Sequence, residues 1–247
     1  APLITSVNVP PPGSYKIGDN LDFIINWSEP VTLAGADAAI YLTIGENTEQ
    51  AICIAGTGET TTCRYTVQAL DLDTNGIAHT SPVNLGASTF TDAVGASADL
   101  TFTPLATTTV FVDGVVPEID SVTIVDDTYQ AGQNLDFTVN FSESVVITAA
   151  TSYLAITIGS TPRSALCQAG TALSTTCSYT IQAGEVDTNG IDLAPSVELA
   201  GSTWLDVAGN AVTPGFTPPT LTSVLVDELA PLITSVNVPP PGSYKIG

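Results

Sequence analysis

Residues 21–29 read LDFIINWSE, and residues 135–143 read LDFTVNFSE. In both stretches every second residue from the leucine to Trp27 or Phe141 is apolar, which is typical of a β-strand with one buried face. Where the copies differ on that face, one apolar residue replaces another, and Trp27 stands where the second copy has Phe141. The two stretches therefore predict strands of common ancestry, each packed on a core of its own.

The repeat extends along the chain at a shift of 114 residues, because residue 21 matches residue 135. YTVQA at 65–69 matches YTIQA at 179–183, and DTNGI occurs at both 73–77 and 187–191. Glycine-containing turn signals separate strand-like runs of about five to seven residues, which favours a sandwich of roughly seven strands. We predict an all-β chain of two tandem immunoglobulin-like β-sandwich domains, residues 1–114 and 115–228.

A second repeat joins the two ends, since residues 1–18, APLITSVNVPPPGSYKIG, recur unchanged as residues 230–247. The natural unit is then a two-domain block copied in tandem, unless the duplication was engineered. Residues 229–247 would be the first strand of a third repeat. Ala230, Ile233, Val236 and Val238 would either continue covalently into that repeat or add as a strand to a neighbouring molecule.

The four cysteines form two pairs with the same ten-residue separation, Cys53 with Cys63 and Cys167 with Cys177. Each pair flanks a turn between strand-like runs, so antiparallel pairing would place the sulfur atoms opposite each other. We predict one cross-hairpin disulfide per domain, which requires an oxidising, extracellular compartment. A four-cysteine zinc site fits poorly, because its pairs are usually separated by two to four residues.

The charge is strongly acidic, with 25 acidic and 4 basic residues and a formal net charge of −21. Such a surface repels nucleic acid and anionic lipid, so we expect neither as a partner. No apolar run approaches the roughly 20 residues that span a bilayer, so we expect no membrane insertion. The carboxylates serve either solubility in a salty medium or the binding of divalent cations.

Several motifs together resemble one family: ITSVNVPPPGSYKIGDNLDF at the start, FSE at 141–143, YTVQA followed by DTNGI, DVAGN at 206–210 and VLVD at 224–227. The chain is similar to the bacterial immunoglobulin-like repeats of giant surface adhesins, biofilm proteins and haemagglutinin-like proteins. The resemblance implies domains in single file at the cell surface, often stiffened by calcium near the domain junctions.

Two groups of oxygen-bearing side chains are candidate calcium ligands. The first is the turn D-x-D-x-N-G at 71–76 and its counterpart in the second domain, although the bidentate Glu of an EF-hand loop is missing; the alternative is a turn in which short side chains cap the backbone. The second is a group of acidic residues at the domain junctions, with Asp92 and Asp206 on turns nearby. The alternative for this group is a solvated linker. The ligand candidates are Asp71, Asp73, Asn75, Glu185, Asp187 and Asn189 in the turns, and Asp113, Glu118, Asp120, Asp227 and Glu228 at the junctions.

Catalysis finds little support in the sequence. His79 is the single histidine, and the second copy has Leu193 at that position. A histidine-based site repeated in each domain is therefore excluded, and we expect no enzymatic activity and no required cofactor. We expect a structural segment of an extracellular fibre or adhesin stalk whose partners are neighbouring repeats. The alternative is an adhesive module that binds a glycan or a cell surface through exposed loops.

Overall fold

The computed structural model describes residues 1–227 and 232–245, and every regular element in them is a β-strand. Ten strands form the first domain. They are β1 (Ile4–Asn8), β2 (Gly13–Lys16), β3 (Asn20–Ala34), β4 (Ala39–Ile44), β5 (Asn47–Cys53), β6 (Gly56–Thr66), β7 (Leu72–Asp73), β8 (Ala78–His79), β9 (Thr89–Thr91) and β10 (Val110–Asp113).

These strands form two sheets. The larger sheet has the order β1-β3-β6-β5-β4-β8, with β9 also paired to β3, and the smaller sheet has the order β2-β10-β7. The N-terminal segment contributes to both sheets, because β1 pairs antiparallel with β3 and β2 pairs parallel with β10. The long strand β3 contains the LDFIINWSE stretch, and its alternate residues Leu21, Phe23 and Ile25 are fully buried, as the sequence predicts.

The second domain repeats this arrangement. Its strands are β11 (Ile119–Thr123), β12 (Asp127–Tyr129), β13 (Asn134–Ile147), β14 (Tyr153–Ile158), β15 (Thr161–Cys167), β16 (Gly170–Thr180), β17 (Val186–Asp187), β18 (Asp192–Glu198), β19 (Trp204–Leu205) and β20 (Val224–Asp227). The orders β11-β13-β16-β15-β14-β18 and β12-β20-β17 correspond strand for strand to those of the first domain. The chain is thus all-β, with two immunoglobulin-like sandwiches in tandem.

Each sandwich has its own hydrophobic core. The first core extends from Val7 to Val112 and the second from Ile119 to Val226, with no residue in common. In each core a tryptophan packs against a phenylalanine, at ring-centroid distances of 5.4 Å and 5.5 Å. The two rings exchange strands between the domains, so the same core position is filled by either pair.

Each tryptophan has its own buried hydrogen-bond acceptor. Trp27 Nε1 donates to Thr61 Oγ1 at 2.9 Å, and Trp204 Nε1 donates to Ser152 Oγ at 3.0 Å. The first domain has Ala38 at the position of Ser152, where no indole needs an acceptor. The second domain keeps Thr175 at the position of Thr61, so only the acceptor of Trp204 is special to one domain. Each buried indole N–H thus has a hydroxyl acceptor, as its burial requires.

The cysteines pair as predicted, within each domain and across neighbouring antiparallel strands. Cys53 is bonded to Cys63 between β5 and β6, and Cys167 is bonded to Cys177 between β15 and β16. Two disulfides are consistent with an extracellular or secreted protein. Within residues 1–227 and 232–245, no helix has the length and apolar character needed to traverse a bilayer.

Residues 232–245 repeat residues 3–16 but form no strand here. Their apolar side chains are exposed, and Ile233, Val236 and Val238 each have at least 75% of their surface accessible. Ala230 lies outside the described residues.

Candidate functional site at the domain junction

A short connection joins the two domains. Strand β10 ends at Asp113 and β11 begins at Ile119, so five residues, 114–118, separate the sheets. Gly114 is buried against the first domain: its N–H donates to the Asp71 carbonyl at 2.6 Å, and its carbonyl accepts from Leu70 at 2.8 Å. A Cβ at this position would lie 2.2 Å from the carbonyl oxygen of Gln68, so the close approach requires glycine.

The turn at 206–210 in the second domain contacts the end of the first domain directly. Asn210 is buried, its Oδ1 accepts from the Ile17 N–H at 3.2 Å, and its Nδ2 donates to the Asp113 carbonyl at 2.8 Å. The same Nδ2 lies 2.7 Å from Asp206 Oδ2, which also accepts its hydrogen. One amide therefore links the turn after β2 and the end of β10 to the second domain.

The turn that carries Asn210 is rigid because Asp206 caps it. Asp206 Oδ1 accepts from the N–H groups of Gly209 at 2.6 Å and Asn210 at 2.8 Å. The corresponding turn of the first domain is built in the same way, with Asp92 Oδ1 accepting from Val94 at 3.0 Å and from Ala96 at 2.8 Å. That turn has Ala96 in place of Asn210, so its fold does not depend on the amide.

Three carboxylates converge beside this contact. Asp113, Glu143 and Asp206 each place an oxygen within 4.8 Å of the others, and within residues 1–227 and 232–245 they are the one group of three or more acidic, histidine or cysteine side chains so close. Asp113 belongs to the first domain, whereas Glu143 and Asp206 belong to the second. The cluster therefore spans the junction.

The geometry makes this cluster electrostatically unfavourable on its own. Burial and the negative charge of Asp206 raise the pKa of Asp113, against the hydrogen bond from Val115 N–H. Burial and the charges of Asp113 and Asp206 raise the pKa of Glu143. Glu143 Oε1 is buried and accepts no hydrogen bond from the described protein atoms. A buried carboxylate oxygen without a donor is costly, and a cation or a proton at this point would remove the cost.

The donor set fits a hard divalent cation. Ca²⁺ is bound by carboxylate and carbonyl oxygens, and the three carboxylates, which include the uncommitted Glu143 Oε1, supply ligands of this kind. Asp113 and Glu143 would hold the ion most directly, because Asp206 already accepts three hydrogen bonds. The ion would supply positive charge shared between the two domains.

The predicted junction residues are only partly brought together. Asp113 and Asp206 lie in the cluster, whereas Glu118 and Asp120 are exposed and lie outside it, and Asp92 lies on the corresponding turn of the first domain. Asp227 is exposed at the end of β20, and Glu228 lies outside the described residues. The sequence did not predict a role for Glu143 or Asn210, although both lie in motifs named above. The FSE and DVAGN motifs, which recur with variation in both domains, were the features that could have indicated them.

The D-x-D-x-N-G turn uses its carboxylates to hold main-chain and hydroxyl hydrogens. Asp71 Oδ2 accepts from Tyr65 OH at 2.6 Å and Gln68 N–H at 2.8 Å, and Asp73 accepts from Gly45 N–H at 2.8 Å and Asn75 N–H at 3.2 Å. These are the bonds expected of a backbone-capping turn. Asp71 Oδ2 and both carboxylate oxygens of Asp73, which were candidate calcium ligands, thus accept hydrogen bonds from the protein.

The second domain keeps this turn with Glu185 in place of Asp71, and it adds an ion pair. Asp187 accepts from Gly159 N–H at 2.7 Å and Asn189 N–H at 3.3 Å. Glu185 accepts from Tyr179 OH at 2.7 Å and Arg163 Nε at 2.5 Å. Burial would raise the pKa of Glu185, but its hydrogen bonds and the Arg163 charge hold that pKa below the usual range.

His79 occupies an apolar site. Both ring nitrogens are buried without a hydrogen-bond partner among the described atoms, and the ring lies 5.2 Å from that of Phe23 and 6.1 Å from that of Phe102. Burial lowers the pKa of His79. A buried histidine held between aromatic rings packs as a core residue.

Comparisons with known proteins identify no family for this chain. No protein-family model and no curated protein matches the sequence. Among solved structures, a marsupial T cell receptor matches at 14% identity over 81% of this chain, with a TM-score of 0.24. The chain spans 60% of the length of that receptor chain.

Proposed function

We propose that this chain is a structural segment of an extracellular fibre or adhesin stalk, in which sandwich domains are joined in series at fixed angles. The observation that carries the proposal is the junction. Asn210 of the second domain bonds Ile17 and Asp113 of the first, next to a linker whose Gly114 is bound to the first domain. A spacer requires such contacts because independent domains on a free linker do not hold length or direction.

The repeat organisation supports the same function. Asp227 ends β20 as Asp113 ends β10, so the second domain offers a following domain the same kind of end that the first domain offers it. The recurrence of residues 1–18 at 230–247 supplies the start of that domain. The partners are therefore neighbouring copies of the repeat, and a domain that serves as a spacer can be copied without loss of a recognition site.

A divalent cation, Ca²⁺, is part of the proposal. Bound by Asp113 and Glu143 beside Asp206, it would neutralise the repulsion across the junction and tie the domains together. The uncommitted Oε1 of Glu143 supports this assignment. No catalytic role is assigned to any residue, and the location proposed is the cell surface.

Small-angle scattering with Ca²⁺ and with a chelator tests the stalk function. We expect one narrow distribution of end-to-end dimensions with Ca²⁺ and a broader one after chelation. Glu143→Gln should give the same distribution in both conditions, because a ligand carboxylate is lost, and the matched Glu29→Gln, an exposed residue at the same position of the first domain, should behave as wild type. A broad, cation-independent distribution in the wild type would contradict the proposal.

A glycan array and a cell-adhesion assay test the alternative. The spacer function predicts no saturable binding by these two domains. Saturable binding that is lost on mutation of exposed loops, and kept in Glu143→Gln, would assign an adhesive function instead.

A further inference from the structure

A hydroxyl group that receives an indole N–H in the first domain is kept in the second domain without that indole. In the first domain Trp27 Nε1 donates to Thr61 Oγ1 at 2.9 Å, and both residues are buried. The second domain has Thr175 at the position of Thr61, but it has the smaller Phe141 at the position of Trp27. A phenyl ring is shorter than an indole and carries no N–H, so Phe141 cannot bond Thr175 as Trp27 bonds Thr61.

The tryptophan of the second domain does not take this place either. Trp204 Nε1 donates to Ser152 Oγ at 3.0 Å, so its indole is directed to a different hydroxyl. Its ring lies edge-on to that of Phe141, at a centroid distance of 5.5 Å. Thr175 Oγ1 donates its own hydrogen to the Gln168 carbonyl at 2.9 Å. A hydroxyl oxygen that donates once still has lone pairs with which to accept, so Thr175 can bind an N–H group.

A cavity of about 290 Å³ is bordered by both Phe141 and Thr175. The buried side chains of Phe141, Val145 and Ile147 form its apolar wall, and the exposed residues 168–172 form its rim. A cavity of about 150 Å³ lined by apolar side chains is large enough to bind benzene. The cavity of the second domain therefore has room for an aromatic group of two fused rings, with a hydroxyl acceptor at its side.

The cavity lies where β13 and β16 lose their regular pairing. Asn140 pairs with Ser174 and Val145 pairs with Ala172, so four residues of β13 lie opposite one residue of β16. Such a bulge bends the strand and leaves the extra residues unpaired. The first domain has the same bulge in β3, and the aromatic residue of each domain lies within its bulge. The bulge makes room for a large aromatic side chain, and a phenylalanine occupies less of that room than a tryptophan does.

We propose that the second domain binds a planar aromatic group with a ring N–H, of the size of indole, in the cavity between Phe141 and Thr175. The bound ring packs against Phe141, because aromatic rings pair favourably in edge-to-face and offset arrangements, and its N–H donates to Thr175 Oγ1. The group is uncharged or cationic, because a chain with a net charge of −21 repels anions. A ligand of this kind is neither a glycan nor a cell surface, so the site adds to the stalk function without depending on it.

Titration of the full chain with indole, followed by ¹H–¹⁵N NMR, tests the proposal. We expect saturable shifts of the amides of Thr175 and residues 168–172, and nuclear Overhauser contacts between indole and the ring of Phe141. Titration with N-acetyltryptophanamide distinguishes two sources of the same chemistry. Binding of this compound with the same contacts would assign the site to a tryptophan side chain of another polypeptide, and binding of indole alone would assign it to a free small molecule.

Thr175→Val tests the hydrogen bond, because valine keeps the shape of threonine without the acceptor. Indene has nearly the shape of indole but no N–H, so the ratio of indole affinity to indene affinity isolates this bond. The ratio should fall by about two- to tenfold in Thr175→Val, the contribution of one neutral hydrogen bond. Thr61→Val, the matched substitution in the first domain, should leave the ratio as in the wild type.

Phe141→Trp should abolish indole binding, because the new side chain fills the cavity and bonds Thr175 as Trp27 bonds Thr61. A wild-type chain without saturable shifts at Thr175 and residues 168–172 would overturn the proposal. An affinity ratio that is unchanged in Thr175→Val, or that falls equally in Thr61→Val, would overturn it as well, whether or not Phe141→Trp folds.

Discussion

Replacement of Asn210 by alanine is the sharpest perturbation of the junction. The substitution removes the acceptor for Ile17 N–H and the donor to the Asp113 carbonyl, the two side-chain hydrogen bonds that link the domains here. It leaves the 206–210 turn intact, because the first domain builds the same turn with Ala96 at this position.

The size of the expected effect on the coupling of the two domains follows from those two hydrogen bonds. Each neutral hydrogen bond contributes about 0.5–1.5 kcal/mol net, so two bonds contribute about 1–3 kcal/mol to the coupling of the domains. A free-energy change of that size corresponds to a factor of about 5–150 in an equilibrium constant. Since Ile17 N–H is itself one of the donors, its hydrogen-exchange protection should fall by a factor in this range, while amides in β3 and β13 keep theirs.

Native-state hydrogen exchange followed by NMR measures this change. Unchanged protection of Ile17 in Asn210→Ala would refute the reasoning, because the hydrogen bond from Ile17 N–H to Asn210 would then not determine its exchange rate. A loss of protection throughout the second domain would refute the claim that the turn folds without the asparagine.

Three further predictions concern stability and pH. Gly114→Ala should destabilise the first domain by about 1–3 kcal/mol in chemical denaturation, because the new methyl group overlaps a main-chain oxygen, whereas Gly56→Ala, with open space around it, should be near neutral. His79→Leu should stabilise the first domain and reduce its loss of stability below about pH 6.5. Burial lowers the pKa of His79 in the folded state, so the unfolded state takes up the proton first as the pH falls, and folding is disfavoured. The second domain has Leu193 at this position and should lack this pH dependence. In the presence of a chelator, acidification from neutral pH toward about pH 4.5 should narrow the distribution of end-to-end dimensions measured by scattering. The pKa of Glu143 is raised, so this carboxylate binds a proton in that range and its repulsion with Asp113 and Asp206 is relieved. Glu143→Gln should not show this response.

The sequence predicted the two sandwiches and their disulfides because both depend on local patterns repeated in register. The alternation in LDFIINWSE decides which face of β3 is buried, and the ten-residue spacing places Cys53 opposite Cys63 once the hairpin forms. The exchange of Trp27 for Phe141 also followed from packing at one register position.

The site was less predictable because it depends on how two domains meet. Asp113 and Asp206 were expected near the junction, but the position of Glu143, in the middle of a strand of the second domain, gave no indication of its contact with the end of the first. The D-x-D-x-N-G turn resembled a calcium loop because capping turns and calcium loops use the same short oxygen-bearing residues. Only the positions of Tyr65 and Gly45 show that the oxygens of Asp71 and Asp73 accept protein hydrogens.

The central claim is that the two domains are held in one orientation by the junction. ¹⁵N relaxation of the wild-type chain with Ca²⁺ tests it directly, because it reports the rotational diffusion of each domain separately. The account predicts a single anisotropic diffusion tensor shared by residues 1–113 and 119–227. Two tensors, each with the correlation time of an isolated domain, would contradict it.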